Sequence, residues 1–592
     1  MKQMFGPLLD GASTQFRLWA PGASSIELIR PDQPSLPMQR HEDGFWRVTV
    51  QDCPPGTRYK FASGGLQFPD PASRRQDGDT AGWSVVCAPL GTDTPRHVER
   101  PWHQAILCEV HIGTVSPEGS FAGLMNRLEH FRDAGFTALE IMPINEFPGN
   151  RNWGYDGTLI FAPDASYGSR EDLRALVARA HELDMSIILD VVYNHFGQHD
   201  NFLARYAPEW FDPAMETPWG PGIDFTQPMV RQFYLENACM WLGEFGFDGL
   251  RFDAIHEIKS EAGKRFLTDL AQAARAIAPG AHLVIENVEN IASWLERDAD
   301  NRPRKFTAQW NDDIRHVLHF LATGERKHGY EDDGHDAIAD LEKTLADGFV
   351  HDGEAKGKSD GTTRGEPASR LPLDAFVSFL QNHDQIGNRA DSKRLQDRIS
   401  AEKLDFLHFV TLLAPQIPLF FMGEEAHLRT PFPFFFDLPA GEAEQQRQNR
   451  YQQMRDIFQE DVAEGGLPDP NALETFLSAR LDWSDYDEPE RRAALERFRT
   501  LARWRRSHLW PLAATPCLDA RTGRQGTAIA VSWIFEAGVL TMALNAADFP
   551  ADIACIVTGD PVTTGEFFQD GEVLRLGPWS AVAWTWMKDN KE

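Results

Sequence analysis

No two cysteines of this chain stand at a C-x-x-C spacing. Cys53, Cys87, Cys108, Cys239, Cys517 and Cys555 are the only 6 in 592 residues and lie far apart. That distribution speaks against a structural zinc site or a disulfide framework and leaves buried free thiols as the expectation. Long hydrophobic runs are missing too: no segment reaches the roughly 18 to 20 uninterrupted apolar residues of a transmembrane helix. The opening stretch from Met1 to Trp19, interrupted by Asp10, holds no apolar run of signal-peptide length. A soluble, cytoplasmic protein is expected. Positive charge is in short supply, with 58 Lys+Arg against 88 Asp+Glu and a net charge of −30. Such an excess repels nucleic acid and anionic membrane surfaces at long range, so a neutral ligand is expected. No internal repeat at spacings of roughly 20 to 50 residues is found.

What remains is an ordinary globular composition, 42% hydrophobic and 25% charged, distinguished by 17 Trp and 39 Phe. Aromatic faces serve cores, and they also serve the apolar faces of sugar rings. Residues 1–95 read as short alternating runs, such as Gln15 to Trp19 and Ser25 to Ile29, separated by turn residues at Pro21-Gly22, Pro54-Pro55-Gly56 and Gly64-Gly65. This is the pattern of a β-sandwich. Gly91 to Arg96 reads as its boundary.

From about residue 104 short apolar runs alternate with helical patterns, which predicts parallel strands with helical crossovers. Eight candidate strands are legible: Ile106 to Ile112, Ala138 to Met142, Ile187 to Val192, Asp248 to Phe252, Leu283 to Ile285, Phe306 to Gln309, Ala375 to Leu380 and Ile417 to Phe421. Eight closes a (β/α)8 TIM barrel, assigned to residues 96–510 with insertions, one of them the Gly/Lys/Asp/Thr-rich stretch 351–370, expected to be mobile. Alternation returns at Thr527 to Trp533 and Ala581 to Trp586, so 511–592 reads as a small C-terminal β domain. The fold class expected is α/β.

In such a barrel the site lies past the C-terminal ends of the strands. Polar residues gather there: Asp190 and Asn194-His195 after the third run, Arg251, Asp253 and His256 at the fourth, Glu286-Asn287 at the fifth, and Asn382-His383-Asp384-Gln385 at the seventh. Glu109 and His111 share one face of the first strand. One Asp after a strand is usually a helix cap, and one His a structural side chain. Carboxylates converging from four strands are costly to bury without partners or a task.

The segments Asp190 to His195, Gly249 to Asp253, Ile285 to Asn287 and Phe379 to Asp384 resemble the four short motifs of the α-amylase superfamily, glycoside hydrolase family 13, in order and strand position. Glu109 to Phe121, Asn152 to Gly157, Gln309 to Asp313 and Gln381 to Asn388 further resemble the malto-oligosyltrehalose trehalohydrolase branch, and the likeness covers essentially the whole chain. The resemblance implies a retaining α-glucan hydrolase that releases trehalose from maltooligosyltrehalose and acts after a maltooligosyltrehalose synthase. It makes Asp253 the nucleophile, Glu286 the acid/base and Asp384 the transition-state stabiliser. Tyr155, Asp156, Asp190, His195, Arg251, His256, His383 and Gln385 would bind substrate around them. Asn311 and Asp312 would bind substrate as well, and Trp219 and Trp310, with Phe432, Phe434, Phe435 and Phe436, are candidates to wall the leaving group, core packing standing beside substrate contact for the Thr430 to Asp437 run. In many amylases an asparagine at the position of Asn194 helps bind calcium; here no Asp-rich loop completes an oxygen cage, so no metal and no cofactor is expected. Two other readings stand beside this one: a debranching or branching enzyme of the same superfamily, and a non-catalytic glucan-binding protein, against which the retained Asp253, Glu286 and Asp384 speak.

Overall fold

The computed structural model describes residues 3–90, 97–217, 219–326, 336–353, 363–458, 462 and 466–588. The expected boundary at 91–96 and residues 354–362 of the expected mobile loop lie outside them. Eight parallel strands close into one barrel in sequence order: β1 (Leu107–Val110), β2 (Ala138–Ile141), β3 (Ser186–Val191), β4 (Gly249–Phe252), β5 (His282–Ile285), β6 (Ala308–Trp310), β7 (Phe376–Phe379) and β8 (Ile417–Phe421). All eight runs read from the sequence are therefore barrel strands, with ends shifted by a residue or two.

The strands are apolar on both faces because both are covered. Inward side chains, among them Leu107, Ala138, Ile188, Val284, Val377, Phe379 and Leu419, form an interior core of their own. Alternate residues such as Cys108, Leu139 and Leu250 pack outward against the crossover helices. Those helices include α1 (Arg170–Glu182), α2 (Pro228–Met240), α3 (Glu261–Ile277), α4 (Asp312–Thr323), the short α5 (His383–Gly387), α6 (Ala401–Leu413) and, beyond β8, the inserted α7 (Ala440–Asp456). Ser169 caps α1 in a reciprocal box with Asp172. α2 begins at Pro228 and widens into a π-turn at Trp241–Phe245 before Gly246 ends it in the left-handed region at φ 82°.

Two antiparallel sheets over residues 8–85 precede the barrel and face each other through contacts such as Phe16 on Tyr59, with ring centroids 4.8 Å apart. Five- and three-stranded sheets over 517–587 follow it. The latter dock on the barrel through Trp533, whose indole N–H donates to the Leu345 carbonyl at 2.9 Å. Among the described residues no helix is long and apolar enough to cross a membrane.

Candidate active site

Parallel register sets the centre of the site. Phe252 of β4 pairs with Ile285 of β5, so Asp253 and Glu286, the next residue on each strand, emerge side by side. The Glu286 N–H donates to the Phe252 carbonyl at 3.0 Å, continuing the ladder. Arg251 lies two residues before Asp253, on the same face of β4. It is fully buried, and its guanidinium gathers three carboxylates: Nη1 donates to Asp190 Oδ2 at 2.6 Å and Asp253 Oδ1 at 3.0 Å, and Nη2 to Glu286 Oε2 at 2.5 Å. Burial works against the charge on Arg251, but Asp190, Glu286, Tyr155 and Asp253 outweigh it and hold the guanidinium firmly protonated.

Both oxygens of Asp253 are held, the second by Asn194 Nδ2 at 2.8 Å. Ala254 then turns into the left-handed region at φ 37°, uncommon for a residue with a Cβ, and its N–H reaches Glu286 Oε2 at 3.1 Å. Glu286 is thus gripped through one oxygen, and its Oε1 has no hydrogen bond among the described residues. The Tyr155 hydroxyl donates to Asp190 Oδ2 at 2.7 Å, and its ring stacks on that of His383 at 5.0 Å.

His383 leads α5, whose Asn382 cap and Gln385 side chain form a reciprocal capping box. Its Nδ1 donates to Glu109 Oε1 at 2.5 Å, and its Nε2 stands 3.5 Å from Asp384 Oδ1. Burial alone would lower the His383 pKa, but Glu109 and Asp384 raise it to about 9. His195 is the opposite case. Its Nε2 donates to the Tyr155 carbonyl at 3.0 Å, and burial pushes it down to about 4, so it is neutral at pH 7. The Asp384 side chain, 39% exposed, is the most open of the three principal carboxylates; Asp253 and Glu286 are 13% and 17% exposed. Asp312, at the start of α4, is pushed up to about 7 by burial, against which Arg315 works and to which the neighbouring Glu286 adds. Among the described residues no three His, Cys, Asp or Glu side chains converge as a metal-ligand set.

Comparison with known proteins gives this constellation its family. Residues 71–213 match the α-amylase catalytic domain, and residues 4–67 match carbohydrate-binding module 48, the isoamylase N-terminal domain. A malto-oligosyltrehalose trehalohydrolase of Deinococcus radiodurans is 34% identical over 560 residues, covering 91% of this chain and 88% of the relative. One from Saccharolobus solfataricus is 34% identical over 494 residues, covering 82% and 84%. The chain belongs to the malto-oligosyltrehalose trehalohydrolase family. A solved structure described as a putative α-amylase from Salmonella typhimurium matches it with a TM-score of 0.92 at 35% identity, covering 99% of this chain and all of that one. As a member of the trehalohydrolase family within the α-amylase superfamily, this chain is a glycoside hydrolase.

Several expected trehalohydrolase contacts sit elsewhere. Trp310 is the last residue of β6 and points inward, 2% exposed, beneath Arg251 rather than beside a substrate. Asn311 is fully buried, and its amide donates to the Gly348 carbonyl at 2.7 Å, packing α4 to the segment that follows Asp347. His111, expected at the rim, is buried with its Nε2 on the Asn152 carbonyl at 2.9 Å. The Thr430 to Asp437 run divides: Phe432 and Phe435 are core, whereas Phe434 and Phe436 line a cavity of about 550 Å³ together with Asp156, His195 and Trp219. Asp156 also accepts from Asn152 Nδ2 at 2.9 Å. His256 lies past β4 beside a small cleft of about 90 Å³ shared with Lys259, Asn287 and Glu289. Sequence reasoning missed the part played by Asn194, which it weighed only as a calcium ligand. The signal available was its position next to His195, at the level where β4 delivers Asp253.

Proposed function

We propose that this chain hydrolyses, with retention of configuration, the α-1,4 bond that joins a maltooligosaccharide to a terminal trehalose unit, releasing trehalose. The observation that carries the reading is the pairing of Asp253 and Glu286 at register-adjacent positions on neighbouring strands, both on one guanidinium. Neighbouring strands run about 4.8 Å apart. A retaining pair needs carboxyl groups about 5 to 5.5 Å apart, against about 6.5 to 9.5 Å for an inverting pair that admits water between them.

In this reading Asp253 attacks the anomeric carbon, steadied at one oxygen by Arg251 and at the other by Asn194. Glu286 uses its unengaged Oε1 to protonate the leaving oxygen, then deprotonates the water that releases the glycosyl-enzyme. Asp384, the exposed carboxylate across from them, grips ring hydroxyls as positive charge develops. His195, neutral by burial, and Tyr155 frame the attacked sugar. The trehalohydrolase relatives support trehalose as the leaving unit in preference to a branch point. We further infer a cytoplasmic enzyme that follows a maltooligosyltrehalose synthase, the enzyme class that builds the 1,1-linked end.

Incubation with maltooligosyltrehalose and, separately, with amylopectin, followed by chromatography of the products, tests the substrate. Trehalose from the first reaction is expected, and its absence defeats the proposal. Proton NMR during the first turnovers tests retention: the new reducing end should appear as the α anomer.

A further inference from the structure

The cavity of about 550 Å³ beside His195 and Trp219 falls within the usual size range of ligand pockets. Its outer wall is α7, an unusual helix: 17 residues long, it buries only Ala443 and Met454. At i, i+3, i+4 and i+7, where a packed helix carries its apolar stripe, stand Gln446, Asn449, Arg450 and Gln453, and all four line the cavity. Packing does not hold such a helix in place, so specific contacts must. Glu442 Oε2 accepts from His199 Nδ1 at 2.5 Å near its start. At its middle Arg450 donates from Nη2 to the Gly387 carbonyl at 2.7 Å and from Nη1 to Asn388 Oδ1 at 2.9 Å, with its guanidinium 4.9 Å over the Phe434 ring. Asn388 in turn donates from Nδ2 to Asp384 Oδ1 at 3.2 Å. The helix is thereby two hydrogen bonds from Asp384.

The chemistry of this wall selects the ligand. Side-chain amides offer a donor and an acceptor together, which suits hydroxyl groups. Arg450 is turned toward Gly387, Asn388 and Gln453, and no other Lys or Arg lines the cavity, whose lining also holds Asp156 and Asp456, so the wall has no paired cationic clamp for an anion. Trp219, 37% exposed and stacked on His195, supplies a flat apolar face, with Phe434 and Phe436 also in the lining. A neutral polyhydroxylated chain fits both. Its direction follows from the strands: the cavity is lined by residues after β2, β3 and β8, and none from β4, β5 or β6. With Glu286 on β5 protonating the leaving oxygen, the leaving unit departs past β5, and the chain attached to the attacked sugar runs the other way. We propose that Gln446, Asn449 and Gln453 read the hydroxyls of the α-glucan chain that remains on Asp253, and that Arg450, acting through Asn388, is a positioning residue for Asp384. This rests on the glycosidase roles proposed above and reverses the expectation that Trp219, Phe434 and Phe436 face the leaving group.

Maltotetraose binding, measured by calorimetry, and steady-state hydrolysis of long-chain maltooligosyltrehalose test both parts. The Gln446→Ala/Asn449→Ala double variant should weaken maltotetraose affinity about tenfold, with the loss appearing in KM rather than kcat. Gln448→Ala, on the opposite face of the same helix, should match the wild type. Arg450→Met should lower kcat about tenfold, Arg450→Lys should recover part of it, and Asn388→Ala, which breaks the chain without touching α7, should reproduce the kcat loss. A double variant that binds maltotetraose as the wild type does overturns the wall; unchanged kcat in both Arg450→Met and Asn388→Ala overturns the positioning role. Wild-type trehalose release without maltotetraose binding overturns the α7 subsite while sparing the trehalohydrolase reading. Absence of both signals overturns both.

Discussion

The guanidinium of Arg251 lies 4.0 Å over the ring of Trp310. Trp310 packs among the inward residues of the barrel, with its ring 5.5 Å from that of Phe379, and so forms the floor on which the cation holding Asp190, Asp253 and Glu286 rests. A desolvated cation over an indole face is stabilised by about 2 kcal/mol or more. Trp310→Ala removes the floor and opens a hole beneath the site, so it should destabilise the fold by about 3 to 5 kcal/mol and reduce hydrolysis. Trp310→Phe should retain most of both properties. Trp310→Leu separates the effects: denaturant unfolding should find it the more stable of the two non-aromatic variants, while hydrolysis stays well below that of Trp310→Phe.

This relationship also marks where the sequence stops being legible. The eight barrel strands are readable because each is a short apolar run bounded by helical patterns, and the carboxylates are readable because they stand just past those runs. Trp310 and Asn311 are adjacent to such residues, but a barrel strand that ends one residue later turns Trp310 inward and Asn311 into the packing of α4. Five consecutive positions, Phe432 to Phe436, carry four phenylalanines, and only the course of the backbone decides which face the core. α7 is opaque for a different reason. Its contacts are polar and made with residues distant in sequence, Glu442 to His199 and Arg450 to Gly387, and no hydrophobic period announces them.

The proposed division of labour between Asp253 and Glu286 predicts two separable defects. Glu286→Gln keeps a hydrogen-bonding oxygen but cannot supply a proton, so hydrolysis of maltooligosyltrehalose should fall by roughly 10² to 10⁴. An α-glucosyl fluoride donor, whose leaving group needs no protonation, should restore the first step, seen as a burst of fluoride, while turnover stays slow because the water of the second step still lacks its base. Asp253→Asn removes the attacking carboxylate and should be inactive on both donors while still binding maltooligosaccharide. Equal rescue of both variants by the fluoride would remove Asp253 from the nucleophile role.

His383 should make stability fall on the alkaline side. Its buried imidazole is held at about 9, above the 6.5 of the unfolded chain, because Glu109 and Asp384 together outweigh desolvation. The folded state therefore binds the proton more tightly. The stabilisation is complete below pH 6.5 and is lost as pH rises through 9, a change on the order of a few kcal/mol. Thermal unfolding of the wild type should show Tm declining across that window. His383→Gln, which titrates nowhere in it, should flatten the slope while lowering Tm at pH 6.

Glu140 should show a second alkaline-falling slope, with an origin unlike that of His383. It stands on β2 between Glu109 of β1 and Ile188 of β3, 1% exposed, and neither of its carboxyl oxygens has a hydrogen-bond partner among the described residues. Burial holds this carboxyl well above the ordinary range, Arg251 works against that, and the nearby Asp190 and Glu109 reinforce it. A carboxyl raised in the folded state keeps its proton when the unfolded chain has lost it. Stability therefore declines as pH rises above the unfolded value of 4.5. Gln has nearly the same shape and is neutral at every pH, so it is spared that linkage. Glu140→Gln should melt at a higher temperature than the wild type at pH 7, with the difference closing as pH is lowered toward 4.5, and should retain hydrolysis because Glu140 touches none of the reacting carboxylates directly. A Gln variant that melts lower than the wild type at pH 7 would mean that Glu140 is ionised in the folded enzyme and belongs to the charge set of Arg251.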